Sequence, residues 1–422
     1  MKRIAKDTCL RVSCPLRRPL QASQNFTGIE ELFRMANPLD ANALIDQAHK
    51  DTGVTSFDCD SYREGLDVFV EDFNDGIAKG LYMDAGIERV RGDCLKYLSD
   101  RLKVWGYLQA NPELLERPIE KPVFVMGIPR TGTTLMSNLL AADPARRSPL
   151  EWEIEDPIPP VSTAELTNNP RVQAKLDAHA AMLKAHPEAG VIYRSSPIYP
   201  HECVWFLAHD FKTLMIESKG ILPKYREYIF QADMTSAYAW HKKFLQALQH
   251  KAPGTWNLKM PSHALHLDYL IKEYPDARLI WTHRDPYVAT GSLCSIISMS
   301  HRMLMGRIDY DWLGEQYPWY CAQHAERAMN FRDKHGEDRI IDVQYADMMN
   351  DPMGTMRALY AKLGDEFTPQ AEAGIQGWVD DNPQNKFGKH GYKLDQYGLS
   401  KEKLEPLYAR YLARYDVELE GL

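Results

Sequence analysis

Residues 122–142, PVFVMGIPRTGTTLMSNLLAA, constrain this chain more than any other stretch. The apolar run Val123-Phe124-Val125-Met126 has the length of a buried strand. A turn bounded by Gly127 and Gly132 follows, and a helical pattern begins near Leu135. A strand, a glycine-bounded turn and a helix make an anion cradle. The free backbone N–H groups of the turn and the positive end of the helix dipole point at whatever sits there. Phosphate is the usual guest.

The Walker A loop, G-x-x-x-x-G-K-[ST], uses its lysine on the β- and γ-phosphates of a nucleoside triphosphate. Here Gly127 and Gly132 keep the spacing and Thr134 fills the Ser/Thr place, but Thr133 stands where the lysine would be. The positive charge has moved into the turn, at Arg130. This points to a nucleotide without a γ-phosphate.

Two later stretches share the strand-to-helix context. Trp256-Asn257-Leu258-Lys259 reads as a short strand, with Pro261 suited to the first turn of the next helix and His263 just beyond. Arg278 to His283 reads as another strand, followed by Arg284, Asp285 as N-cap and Pro286 as first helical residue. In an open α/β sheet, ligands bind at the carboxyl ends of the strands. Arg284 is thus held at such a corner, with Ser292 eight residues on.

With these residues the chain resembles the sulfotransferases that use 3′-phosphoadenosine-5′-phosphosulfate (PAPS). The family's P-[KR]-[ST]-G-T-T loop matches Pro129-Arg130-Thr131-Gly132-Thr133-Thr134. The resemblance implies an enzyme with a P-loop-type three-layer α/β fold around a central parallel sheet. It places the 5′-phosphosulfate on Arg130, Thr131, Gly132, Thr133 and Thr134, with Arg130 as the catalytic basic residue. It places the 3′-phosphate on Arg284 and Ser292. Lys259 would assist at the sulfonate and His263 would be the general base, with Glu202 as the second candidate base. A late basic, glycine-containing loop would close over the nucleotide through Lys389 and His390. Many members carry an aromatic residue just after the cradle to stack on adenine; Leu135 stands there, so adenine packing must come from elsewhere. The desulfo product would be 3′-phosphoadenosine-5′-phosphate. No metal is expected, since no Mg²⁺-binding acidic pattern lies beside the cradle.

The remaining expectations are coarser. Residues 1–118 read as an N-terminal helical extension following an irregular arm (1–25), 119–395 as the α/β core and 396–422 as a C-terminal helical tail. Helices are expected over 40–51 (capped by Asp40 and Gly53), 62–80, 85–109, 170–186, 223–250, 315–334, 347–363 and 400–416, and a strand over 339–343. Asp156-Pro-Ile-Pro-Pro-Val161 is a loop. His201-Glu202 suggests the HExxH metalloprotease helix, but Trp205 replaces the second ligand. His263 and His266 form an HxxH pair without a third ligand nearby. Seven cysteines lack any CxxC, which argues against a disulfide framework or zinc site.

A formal net charge of −8 with no long basic run argues against nucleic-acid binding. No stretch reaches the ~20 apolar residues of a membrane span, and a cytoplasmic location is the default. The acceptor is expected to be a small molecule with a hydroxyl: a phenol, sterol or lipid alcohol, with a sugar as the main competitor. Trp205, Tyr193, Trp240, Phe244, Met299 and Met303 are candidate pocket residues. A P-loop kinase or NTPase, and a non-catalytic nucleotide-binding protein, are the other classes; a homodimer is the oligomeric option.

Overall fold

The computed structural model describes residues 37–185, 195–383, 391 and 393–420. Pro38–Leu422 form one unit by their contacts. At its centre is a five-stranded sheet, β1 (Val123–Gly127), β2 (Arg146–Arg147), β3 (Thr255–Lys259), β4 (Arg278–His283) and β5 (Ile340–Gln344). Every pairing is parallel, in the order β2-β3-β1-β4-β5. The central β1 is buried along its whole length. That explains its unbroken apolar run, since a strand covered on both faces cannot alternate polar and apolar residues. Val125 pairs with Lys259 and Gly127 with Thr282, so the carboxyl ends of β1, β3 and β4 lie side by side.

Successive strand residues face opposite layers. Val123, Val125, Ile280 and Val343 pack on Met136 and Leu140 of the helix Thr133–Ala141, and on Met356, Leu359 and Ile375 from the helices Pro352–Leu363 and Pro369–Asp381. On the other face Phe124 meets His241 and Tyr274, while Trp281 meets Tyr411. The three-layer α/β arrangement is therefore present. Among the described residues, no helix is long and apolar enough to cross a membrane.

The expected N-terminal helices form as Ala41–Thr52, Ser61–Ala78 and Asp84–Ala110. Asp40 caps the first by accepting from the Ala43 N–H at 2.9 Å, and Gly53 closes it in the left-handed region at φ 69°. Two long helical readings break. The 223–250 segment is two helices, Pro223–Gln231 and Thr235–Leu248; Ala232 turns extended between them and Asp233 accepts the Thr235 N–H. Likewise 347–363 divides at Asp351, which caps the second half. The edge strand β2 and the helix Pro369–Asp381 did not stand out in the sequence.

One buried cation ties the N-terminal helices to the rest. Arg101 has no exposed surface; it reaches Asp58 at 2.8 Å, Asp210 at 2.7 Å and the His209 carbonyl at 3.0 Å, over the Trp240 ring. Burial alone would raise the Asp58 pKa, but Arg101 and Lys243 outweigh it and hold Asp58 below the ordinary range. Arg101→Ala would leave two buried carboxylates without their shared partner, so a loss of about 3–5 kcal/mol is expected in urea unfolding. Because the Asp58 pKa is depressed by folding, its contribution is complete above the unfolded-state value and is lost as pH falls through the folded one. The wild-type advantage over Arg101→Ala should shrink in acid.

Candidate active site

Four chain segments meet at the strand ends. The first is the turn after β1. Gly132 sits at φ 91°, and a Cβ there would lie 2.6 Å from Tyr345 Cδ2. Arg130 also adopts a left-handed backbone, φ 75°, without being glycine. A non-glycine residue held there stores strain, which proteins tolerate chiefly where the backbone has work to do. Thr131 is fully buried; its Oγ1 donates to the Ile128 carbonyl at 2.7 Å and lies 2.9 Å from Thr282 Oγ1. Its hydroxyl therefore pins the turn. The helix then starts at Thr133 with Gly132 as an N-cap lacking any side-chain cap, so its first N–H groups face the turn. Thr134 is exposed at this mouth, whereas Thr133 is buried.

The second segment is the end of β3. Lys259 pairs with Glu202 at 2.6 Å, and its Nζ lies 3.4 Å from Thr134 Oγ1. The Lys259 side chain is 3% exposed and that of Glu202 21%. Glu202 does not lie in a helical first turn; the next helix is Val204–Ala208. It is held instead by backbone pairing on both sides. The Cys203 N–H donates to the Lys259 carbonyl at 2.9 Å, and the His201 N–H to the Pro149 carbonyl at 2.8 Å. Next to it lie Glu151, pushed up to about 7 by burial and then by Glu155, and His201, pushed down to about 4 by burial and then by Lys259. At neutral pH His201 is uncharged, and the ion pair of this corner is that of Lys259 with Glu202.

The third segment follows β4. Asp285 caps the helix Pro286–Met305 by accepting from Tyr287 N–H at 2.8 Å. Arg284 Nη1 donates to the Arg130 carbonyl at 3.3 Å, and its guanidinium lies 4.3 Å from the Tyr345 ring centroid. Ser292 Oγ accepts from Arg130 Nε at 3.1 Å. Arg130, Arg284 and Ser292, far apart in sequence, thus form one basic cluster. Glu420 lies on Arg284 as well, with Nη2 to Oε2 at 2.7 Å, and its backbone N–H donates to Asp285.

The fourth segment, directly after β5, supplies Tyr345, which backs both Gly132 and Arg284. Sequence reasoning passed over it, although an aromatic residue directly beyond a strand next to β4 was a usable signal. Glu420 carried no signal at all.

His263 is not brought to this mouth. It lies in the 3-10 turn Pro261–Leu265, has no exposed surface, and packs edge-on against Phe124 with Nδ1 2.9 Å from Tyr238 Oη. Burial pushes its pKa far below the ordinary range. A base must reach the proton it removes, and this ring is enclosed on the Phe124 face of the sheet. Lys389 and His390 lie outside the described residues, as does Tyr193.

This geometry matches a known group. The model of the sulfotransferase family fits residues 122–369. The chain belongs to the sulfotransferase family. The crystal structure of sulfotransferase STF9 from Mycobacterium avium is 40% identical, with a TM-score of 0.85 over 90% of this chain and 98% of that one. Sulfotransferase STF1 from Mycobacterium tuberculosis H37Rv is 26% identical, with a TM-score of 0.79 over 89% of this chain and all of that one. A curated relative, the omega-hydroxy-beta-dihydromenaquinone-9 sulfotransferase Stf3 of Mycobacterium bovis, is 25% identical over 337 residues, 75% of this chain and 82% of that protein.

The sulfotransferase cradle depends on Gly132. Gly132→Ala adds a methyl group against the Tyr345 ring at a backbone angle that disfavours it. A loss of roughly 1–3 kcal/mol is expected in chemical denaturation.

Proposed function

We propose that this sulfotransferase moves the sulfuryl group of PAPS to the hydroxyl of a small apolar acceptor, with Glu202 as the general base. The observation that carries the reading is the Lys259–Glu202 pair at the cradle mouth beside Thr134. The cradle N–H groups and Thr134 receive the 5′-phosphosulfate. Arg284, oriented by Tyr345, takes the 3′-phosphate beside Ser292, and Arg130 neutralises charge on the oxygen that leaves sulfur. Lys259 is held by Glu202 while the cradle is free. A bound sulfonate competes for that ammonium and releases the carboxylate.

The acceptor hydroxyl then gives its proton to Glu202 as its oxygen bonds to sulfur. The S–O bond to the 5′-phosphate breaks in line, and its electron pair stays on the phosphate oxygen. Stabilising the leaving oxygen by one such donor is typically worth about 3–4 kcal/mol. His263, the base expected by resemblance, is enclosed away from this path, so the carboxylate replaces it.

An acceptor of lipid-alcohol type is supported by the curated relative, whose name describes a hydroxyl on a menaquinone derivative. Of the pocket residues expected from sequence, Trp205 stacks on His201 beside Glu202. Trp240 and Phe244 are buried in the core around Arg101 and His209, and Met303 is exposed at the surface.

Calorimetric titration with 3′-phosphoadenosine-5′-phosphate should show binding where Mg-ATP shows none; the reverse would return the loop to the NTPases. Glu202→Gln should lower kcat by roughly 10²- to 10⁴-fold with little change in affinity for the desulfo nucleotide, which carries no sulfonate to compete for Lys259. Unchanged kcat would remove the base assignment.

Glu420 sits on the arginine assigned to the 3′-phosphate. Glu420→Gln should therefore tighten binding of 3′-phosphoadenosine-5′-phosphate by about two- to five-fold, the range of an exposed ion pair, and leave 5′-AMP unchanged. Arg284→Ala should weaken the bisphosphate roughly 10- to 100-fold. Equal losses for both nucleotides would show that Arg284 does not read the 3′-phosphate.

A further inference from the structure

Behind the β3 end lies a second cluster that the transfer reaction does not use. Cys203, His241 and His263 are fully buried, and one ligand atom from each lies within 4.8 Å of the other two. His241 Nδ1 is 2.7 Å from Tyr274 Oη, and His263 Nδ1 is 2.9 Å from Tyr238 Oη. The Nε2 atoms of both rings have no hydrogen-bond partner. Two orphaned imidazole nitrogens in one core are costly, because a buried polar atom without a partner forfeits its solvation. Each is what remains when a tyrosine holds the opposite ring nitrogen, which is how an outer partner fixes a metal-binding histidine.

We infer that Cys203, His241 and His263 form a binding site for a single monovalent soft metal ion, copper(I). The choice follows from ligand count and charge. Zinc in a closed site takes four ligands, and three are offered. A divalent ion on one thiolate and two neutral imidazoles would leave a net positive charge in a pocket walled by Phe124, Phe206 and Tyr238. An unpaired charge there is expensive. The ionic groups at the adjoining strand end, Lys259 and Glu202, already neutralise each other. A monovalent ion with the same three ligands is neutral, and thiolate with imidazole suits copper(I). On binding, the Cys203 S–H bond breaks, the sulfur electron pair bonds to copper, and the proton leaves to solvent; copper stays monovalent throughout.

The placement gives the ion a structural consequence. Cys203 directly follows Glu202, and His263 lies in the turn directly after β3, which ends at Lys259. His241 belongs to the helix Thr235–Leu248. The ion would staple the two segments that present the Lys259–Glu202 pair to a third, rigid element. The HxxH pairing of His263 with His266 is not the site; the partners come from distant segments.

The test is anaerobic titration of the full chain with copper(I) against a chromogenic chelator. Cys9, Cys14 and Cys59 are replaced by Ser to remove competing thiols. One equivalent should be retained, and X-ray absorption should show one sulfur and two imidazoles around it. Cys203→Ser and His241→Gln should weaken binding by more than the ~10- to 100-fold typical of losing an outer partner. Tyr274→Phe, which removes only a hydroxyl, should weaken it within that range while circular dichroism stays unchanged, so a fold failure in the ligand variants does not decide the matter. Cys94→Ser, another buried thiol, should retain the ion. No retained copper, or retention indifferent to both Cys203→Ser and Tyr274→Phe, would overturn the site. Zinc(II) held in preference to copper(I) would overturn the monovalent assignment.

Discussion

The structure depends on β1 lying between β3 and β4 in parallel register. A strand buried on both faces must satisfy its backbone through its neighbours. That requirement places Lys259 and Thr282 level with Val125 and Gly127. Once the register is set, the turn after β1, the end of β3 and the corner after β4 converge without further instruction. The cradle and the Arg130–Arg284–Ser292 cluster follow from this alignment, while Glu202 joins Lys259 through the pairing of 201–203 with Pro149 and Lys259.

Electrostatics then divide the site into two halves. Toward the helix Pro286–Met305 the charge is basic, with Arg130 and Arg284 tethered to Ser292 and Tyr345. Toward the segment 149–203 a carboxylate faces an ammonium, with the uncharged His201 beside them. The proposed function assigns the anionic donor to the first half and proton removal to the second. Lys259 stands between them, a cation whose partner is itself a candidate for chemistry. The Arg101 cluster anchors the N-terminal helices to the segment that carries His209 and Asp210, a few residues beyond Glu202. The extension is thereby coupled to the acidic side of the site.

Much of the fold was legible in sequence because its signals are local. The strand-turn-helix at 122–142, the Asp285-Pro286 helix start and the Asp40 and Gly53 caps each depend on a few neighbouring residues. The breaks at 232–234 and Asp351 were hidden because helical patterns run up to them from both sides, while an aspartate side chain accepting a nearby backbone N–H marks each one. The edge strand β2 is two charged residues long, and only its partner β3 makes it a strand. Tyr345 was visible but unremarked, and Glu420 gains meaning only by meeting Arg284.

The sequence by itself determined the cradle and the class of chemistry, because spacing within a single turn dictates where glycine, threonine and arginine must stand. It also supplied Lys259, Arg284 and Ser292, since each is tied to a strand end or the helix after it. Only the tertiary structure decided which of His263 and Glu202 stands beside Lys259 at the strand ends. The turn after Lys259 carries His263 to the Phe124 face of the sheet, and the pairing of 201–203 with Pro149 and Lys259 brings Glu202 to the mouth. Side-chain direction beyond a strand end depends on which layer covers it, and that layer comes from distant segments of the chain.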